Sequence, residues 1–316
     1  MKKGSERLVR KLPGPREGGI SGDASGPSEA DRLAWTDGVS LVSYGVRVGI
    51  RTNDSGVLEQ IKRRLPPGWK RARAGLAEKL YSVWAGGVSP VSGRRRFSSL
   101  YDDDQRIARS RKLEALLELL ESSVRMYVAR SAPDKIFVHA GAVGWRGRAI
   151  IIPGRSFSGK TSLVAELVRA GADYYSDEYA VFDARGLVLP FPKPLSLRLN
   201  GDVRQQDFHV EELGGRAGTK PLPVGLVVVS SYKKGARWRP RMLSPGQGAL
   251  ALLSNTVAAR TEPARALATF QQVMSHALAL KGLRGEASEL VDSLLARCEE
   301  SWAQAAHIKP GSSSFL

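Results

Sequence analysis

The chain is 316 residues long, 42% hydrophobic and 25% charged, the proportions of a soluble globular protein with enough length for one large or two modest domains. Its single cysteine, Cys298, excludes an internal disulfide, and no apolar run reaches membrane-span length or follows the basic residues of "MKKGSERLVRKLPGPREGG", so a cytoplasmic protein is expected. Lys and Arg number 48 against 31 Asp and Glu, a formal charge of +17, which suits a phosphorylated, acidic or nucleic-acid partner.

Residues 1–34 are rich in Gly, Pro, Ser and charge and lack apolar periodicity, so a disordered N-terminal segment is expected there. Residues 35–130 read as a smaller α/β accessory domain. "VSLVSYGVRVGIRTN" has a strand pattern, "DSGVLEQIKRRL" is a helix stopped by Pro66, Pro67 and Gly68, and "AEKLYSVWAGG" is a further strand. "RKLEALLELLESSVRMYVARSA" places Leu113, Leu116, Leu117, Leu120, Val124, Tyr127 and Val128 at helical spacing, which predicts one long helix. Tyr44, Trp69, Tyr81 and Trp84 suit a core, and the clusters Lys62 to Arg64, Lys70 with Arg71, and Arg94 to Arg96 suit a positive rim.

Residues 131–309 form the second expected domain. "KIFVHAGAVGWRGRAIIIPG" holds two strand-like runs around "GWRG", a hairpin that delivers its second strand into a glycine loop. That loop, Gly154, Arg155, Ser156, Phe157, Ser158, Gly159, Lys160 and Thr161, has the G-x-x-x-x-G-K-[ST] spacing of a phosphate loop. Wrapping a polyphosphate in backbone N–H groups requires residues that tolerate positive φ, and a following helix whose N-terminal dipole favours anions. The helix is present in the pattern, since Leu163, Val164, Leu167 and Val168 recur at helical spacing before Gly171. Lys160 would reach the β- and γ-phosphates of ATP and the Thr161 hydroxyl would ligate Mg²⁺.

Such a site also needs an acid at the end of a neighbouring strand. "GLVVVSS" ends in Ser230 and Ser231 and supplies none, whereas "YYSDEYAVFD" supplies adjacent Asp177 and Glu178. Side chains alternate along a regular strand, so both can serve one nucleotide only from a strand end or bulge. Asp183, before Arg185-Gly186, is a turn residue. Downstream, "KPLSLRL" and "VGLVVVSS" are strands, Ser244-Pro245 and Thr261-Glu262-Pro263 open helices, "LALKGLRG" is a short strand, and a last helix runs from Glu286 to Cys298. Cys298 sits there with Leu294 and Leu295, as a half-buried structural thiol. A flexible tail is expected at residues 310–316.

From about Phe137 to Arg198, and more weakly to Arg297, the chain resembles the bacterial HPr kinase/phosphorylase family and its relatives. "VHAGAV", "PGRSFSGKTSLVAELVRAGADYYSDEYAVFD" and "PFPKPLSLR" carry the resemblance. It implies a P-loop domain whose nucleotide fold is related to that of ATP-dependent phosphoenolpyruvate carboxykinase. It also implies a catalytic set of His139, Asp177 and Glu178, with Asp177 as the base toward a serine hydroxyl and His139 beside it. The second acid is Glu where the family carries Asp.

The expected function is an ATP-dependent kinase, using Mg²⁺, that phosphorylates a Ser/Thr hydroxyl of a protein or peptide, an acidic one on charge grounds. A non-catalytic ATP-binding regulator and a kinase of a small-molecule acceptor stay open as alternatives, as does a homo-oligomer. A nucleic-acid partner rests on charge alone, because no zinc, RRM-like or homeodomain pattern accompanies it.

Overall fold

The computed structural model describes residues 10–11, 28–73, 76–88, 93, 96–154, 158–198 and 205–307. The chain divides into two compact units, Met1–Pro133 and Asp134–Leu316, and both mix helices with sheets.

In the first unit the elements are β1 (Arg10–Lys11), β2 (Asp37–Ser43), β3 (Val46–Thr52), α1 (Ser55–Lys62), β4 (Lys70–Arg71), β5 (Leu76–Ala77), β6 (Lys79–Trp84), β7 (Ser98–Asp102), β8 (Gln105–Ser110) and α2 (Leu113–Ser131). β1 pairs with β5, and the rest form one sheet in the order β4-β2-β3-β6-β7-β8. Within it β3 and β6 run parallel and the other pairs antiparallel. Asp54 caps α1 by accepting from the Val57 N–H at 2.9 Å, and Val57, Leu58 and Ile61 are its buried face. α2 buries Leu116, Leu117, Leu120, Val124 and Val128, spaced three and four apart, and leaves Leu119 and Met126 exposed on the other side.

The fold takes in part of the stretch whose composition suggested disorder. Ala30 is fully buried, and its carbonyl accepts from Trp35 Nε1 at 2.8 Å while the Arg51 guanidinium lies over the Trp35 ring. One small apolar residue fixed by an indole hydrogen bond leaves no periodic signal in a sequence. Apart from β1, residues 1–27 lie outside the described residues, as do Arg94 and Arg95 of the basic rim and residues 308–316, which include the tail expected at 310–316.

The second unit runs β9 (Lys135–Trp145), β10 (Arg148–Pro153), α3 (Lys160–Arg169), β11 (Asp173–Ser176), β12 (Tyr179–Asp183), β13 (Leu187–Leu189), β14 (Leu195–Arg198), β15 (Gln205–Phe208), a 3-10 turn (Val210–Leu213), β16 (Leu222–Tyr232), β17 (Arg241–Met242), α4 (Pro245–Leu253), α5 (Pro263–Met274), β18 (Leu278–Arg284) and α6 (Ala287–His307). β9 is used on both edges: β10 pairs with it along Ala140–Trp145, and β11 then β12 pair with the other edge. β10, β16 and β18 lie parallel, and β17 closes the far edge of β18 antiparallel. Alternation sorts the core into two faces. Ile150, Ile152, Val228 and Leu280 meet α3 and α6, while Ile151, Val227 and Ala279 meet α4 and α5. The three parallel strands share one carboxyl end, so the residues leaving them, Gly154, Tyr232 and Arg284, emerge together.

α6 is longer than the sequence pattern suggested, continuing past Cys298 to His307. No proline interrupts the chain before Pro310, and Trp302 gives the extension an anchor by donating from Nε1 to the Gly225 carbonyl at 3.2 Å. Cys298 itself is 2% exposed, and burial pushes its thiol up to about 12. Asp183 accepts from the N–H groups of Arg185 and Leu187, each at 2.9 Å, and so holds the β12–β13 turn.

Candidate functional site

The strand end, the glycine loop and the acid pair meet at one point on β9. The Gly154 N–H donates to the His139 carbonyl at 3.2 Å on one edge. On the other edge His139 pairs in register with Tyr179, and the Ala140 N–H donates to the Glu178 carbonyl at 3.1 Å. Two consecutive residues of β9 therefore hold Gly154 and Glu178 on either side. The His139 ring lies 4.9 Å from the Tyr179 ring, and the His139 backbone N–H donates to the Asn255 carbonyl at 2.8 Å just beyond α4.

Arg155, Ser156 and Phe157 lie outside the described residues. The two ends of the loop are well defined. Gly154 has Ser158 folded back over it: a Cβ built at Gly154 would sit 2.7 Å from Ser158 Oγ and 3.6 Å from Lys160 Cδ, so a side chain there would displace the Ser158 hydroxyl. Ser158 Oγ is buried and has no hydrogen-bond partner among the described residues. Gly159 starts α3 at φ +82°, with no side-chain cap on the first helical N–H groups. Those donors, from Lys160 onward, are the unsatisfied N-terminal set that binds anions.

Asp177 and Glu178 occupy the break between β11 and β12. Ser176 Oγ makes that break by accepting from the N–H groups of Glu178 and Tyr179 at 3.0 and 2.9 Å, which removes the strict alternation that would separate adjacent side chains. Asp177 is 6% exposed. The Tyr174 hydroxyl lies between two acceptors, Asp177 Oδ1 at 3.0 Å and the Lys193 carbonyl at 2.8 Å, and its one proton serves either. Lys193 Nζ stands 3.4 Å from Asp177 Oδ1 and 3.8 Å from Glu178 Oε2.

The charges couple across this space. Burial draws Lys160 below its ordinary range while Asp177 and Glu178 oppose that shift. His139 is drawn down by burial first and by the Lys160 charge second. Burial, followed by the Asp177 charge, holds the Tyr174 phenol well above its usual range. Lys160 is thus within electrostatic reach of His139, Asp177 and Glu178, and Thr161 follows it on the first turn of α3.

Three residues of this cluster carry no motif. Tyr174 and Lys193 hold Asp177, and a lysine between two prolines in "FPKPL" was the available hint for the second. Arg284 is the third. It ends β18, is 2% exposed, and donates from Nη2 to the Gly159 carbonyl at 2.7 Å and from Nη1 to the Gly285 carbonyl at 2.9 Å. Its Nε has no partner among the described residues, and burial lowers its affinity for the proton. In the sequence the hint was a charge on an apolar strand. A fixed positive charge thus lies behind the loop, in addition to Lys160 at its front.

The donor set fits magnesium nucleotide better than a metal held by protein alone. Among the described residues there is no group of three or more His, Cys, Asp or Glu that could hold a metal ion. Two carboxylates and one hydroxyl suit Mg²⁺, which completes its octahedron with water and phosphate oxygens. The orphaned Ser158 hydroxyl, the uncapped helix start and the two cations suit the phosphates.

No protein-family model and no curated protein matches the chain. Among solved structures it is similar to the HPr(Ser) kinase/phosphatase from Coxiella burnetii, at 14% sequence identity over 53% of this chain and 98% of that chain, with a TM-score of 0.27. That likeness is distant and says nothing of this chain's chemistry.

Proposed function

We propose that the second unit is a P-loop phosphotransferase that moves the γ-phosphate of ATP to a Ser/Thr hydroxyl of a protein or peptide. The observation that carries the reading is the clamping of Gly154 and Glu178 to consecutive residues of β9, which sets a phosphate-loop sequence beside two carboxylates. Phosphoryl transfer asks a protein mainly for phosphate clamping and for one carboxylate that orients the nucleophile.

In this reading the loop from Gly154 to Thr161 wraps the phosphates with its N–H groups, and Lys160 neutralises charge near the transferred group. Arg284 fixes the Gly159 carbonyl so that the loop keeps its shape. Glu178 and Thr161 would hold Mg²⁺, with Asp177 beside them; the ion supplies charge neutralisation between the phosphates when bound. Asp177 accepts the hydroxyl proton, held in position by Lys193 and the Tyr174 hydroxyl. His139, drawn toward its neutral form, adds no competing positive charge beside the base. The first unit would present the acceptor.

The test is transfer of labelled γ-phosphate to a Ser/Thr peptide pool. Asp177→Asn should keep nucleotide binding and lower transfer by roughly 10²- to 10⁴-fold, the range of general-base catalysis. A wild-type protein that transfers nothing while ATP alters its affinity for a partner would instead be a regulator.

A further inference from the structure

The loop that leaves β16 next to Arg284 is rich in positive charge, with Glu286 and Glu289 the acids set beside it. No Asp or Glu occurs between Glu212 and Glu262, and Lys233, Lys234, Arg237, Arg239 and Arg241 are all exposed. Lys281, across from Arg241 in the β17–β18 pair, is exposed as well. None of these six makes an ion pair among the described residues. Self-repulsion of such a belt is relieved by an anionic partner.

The belt borders a cavity of about 270 Å³ of mixed lining, in which Val229, Leu243, Leu250 and Ala251 stand with Gln247, Ser254 and the cationic Arg241 and Lys281. Leu250 is 57% exposed, and Met242 and Leu283 nearby are also exposed. Exposed aliphatic side chains beside cations suit a ligand that carries apolar side chains among carboxylates.

Position connects this face to the site. Val229 and Lys281 are register partners, and three residues further along the same strands Tyr232 pairs with Arg284, which holds Gly159. At ~3.3 Å per residue that places the cavity about 10 Å from the loop along the strands. Ser254 also lines the cavity, and the next residue, Asn255, accepts the His139 N–H. The cavity therefore lies on the α4 face of the sheet, toward the strand ends from which the loop leaves.

We propose that this face seats an acidic peptide segment bearing an aliphatic side chain, so that a neighbouring hydroxyl reaches the loop. The proposal rests on the phosphotransferase reading for its purpose, but the binding itself does not. A peptide is favoured over a nucleic acid because no aromatic residue lines the cavity, whereas single strands are held by stacking on aromatic faces. The belt is also too long for one small anion and matches a chain of several residues.

The test uses a fluorescein-labelled peptide alternating Glu and Leu around one Ser, with anisotropy read in the absence of nucleotide. The double variant Arg241→Glu with Lys281→Glu, both exposed and outside the catalytic set, should weaken binding about tenfold or more, with the loss shrinking as salt is raised. Leu250→Ser should weaken the Glu/Leu peptide but leave a Glu/Ser peptide without leucine unchanged. Unchanged binding in the charge-reversed protein would overturn the proposal. So would tighter binding of a thymidine oligonucleotide that the same reversal abolishes, since the face would then be a nucleic-acid surface. A protein that binds the peptide as described, yet transfers no phosphate to it from magnesium ATP, would retain this face and lose the kinase reading.

Discussion

Adding one methyl group at Gly159 perturbs the loop and its buried cation together. Gly159 has φ +82°, and a Cβ there would overlap Arg284 Nη2. Gly159→Ala therefore places an L-residue in the left-handed region, at about 1–2 kcal/mol. It also expels the guanidinium from the Gly159 carbonyl, at about 1.5–3 kcal/mol for a charged hydrogen bond. Arg284 is 2% exposed, so water does not replace that bond. A combined loss of about 2.5–5 kcal/mol lowers the melting temperature of a unit of this size by about 10 °C. Calorimetry of the full chain measures it, with Cys298 labelling marking which transition belongs to the second unit. Gly246→Ala is the control: a Cβ there meets nothing, and replacing that glycine inside α4 should be neutral or stabilise by up to about 1 kcal/mol. A G159A protein melting within about 2 °C of wild type would mean that Arg284 does not hold the loop.

Other outcomes follow from the same geometry. His139 is held below its ordinary 6.5, so the unfolded chain takes up the proton first as pH falls. Its contribution to stability is complete above about 6.5 and is lost as pH falls through the lower folded value. Urea midpoints between about pH 7 and 5 should therefore fall more steeply for wild type than for His139→Gln, and parallel curves would contradict the assignment. Cys298, buried and with its thiol pushed up to about 12, should resist thiol reagents in the native protein and react on unfolding; stoichiometric native labelling would refute its burial. Lys193→Met removes the cation beside Asp177, so phosphate transfer should fall with ATP affinity little changed. Unchanged transfer would show that Lys193 has no part in positioning that carboxylate. Leu120→Ala should cost about 2–5 kcal/mol in the first unit.

The elements that local rules govern were legible in the chain. A capped run such as Asp54 before α1, or Ser244-Pro245 before α4, declares its own start, and the mixed helix and sheet content of both units follows from such signals. The adjacency of Asp177 and Glu178 required a break in the strand, and Ser176 makes one. What the sequence hides is contact between distant segments. Arg284 lies 125 positions from the carbonyl it binds, and neither residue marks the other. Lys193 reaches Asp177 only because the chain folds back after β13, and Ala30 joins the core through a single indole hydrogen bond. Such contacts follow from register and topology, which no local pattern encodes.

The central claim is that the segment from Gly154 to Thr161 binds the phosphates of ATP. The most direct measurement is calorimetric titration of magnesium ATP into the full chain and into Lys160→Ala. Lys160 is half-buried at the first position of α3, where alanine keeps the helix, so the variant should keep the wild-type circular dichroism and melting profile while losing most of the affinity. Equal ATP binding by the two proteins, or none by wild type, would contradict the account.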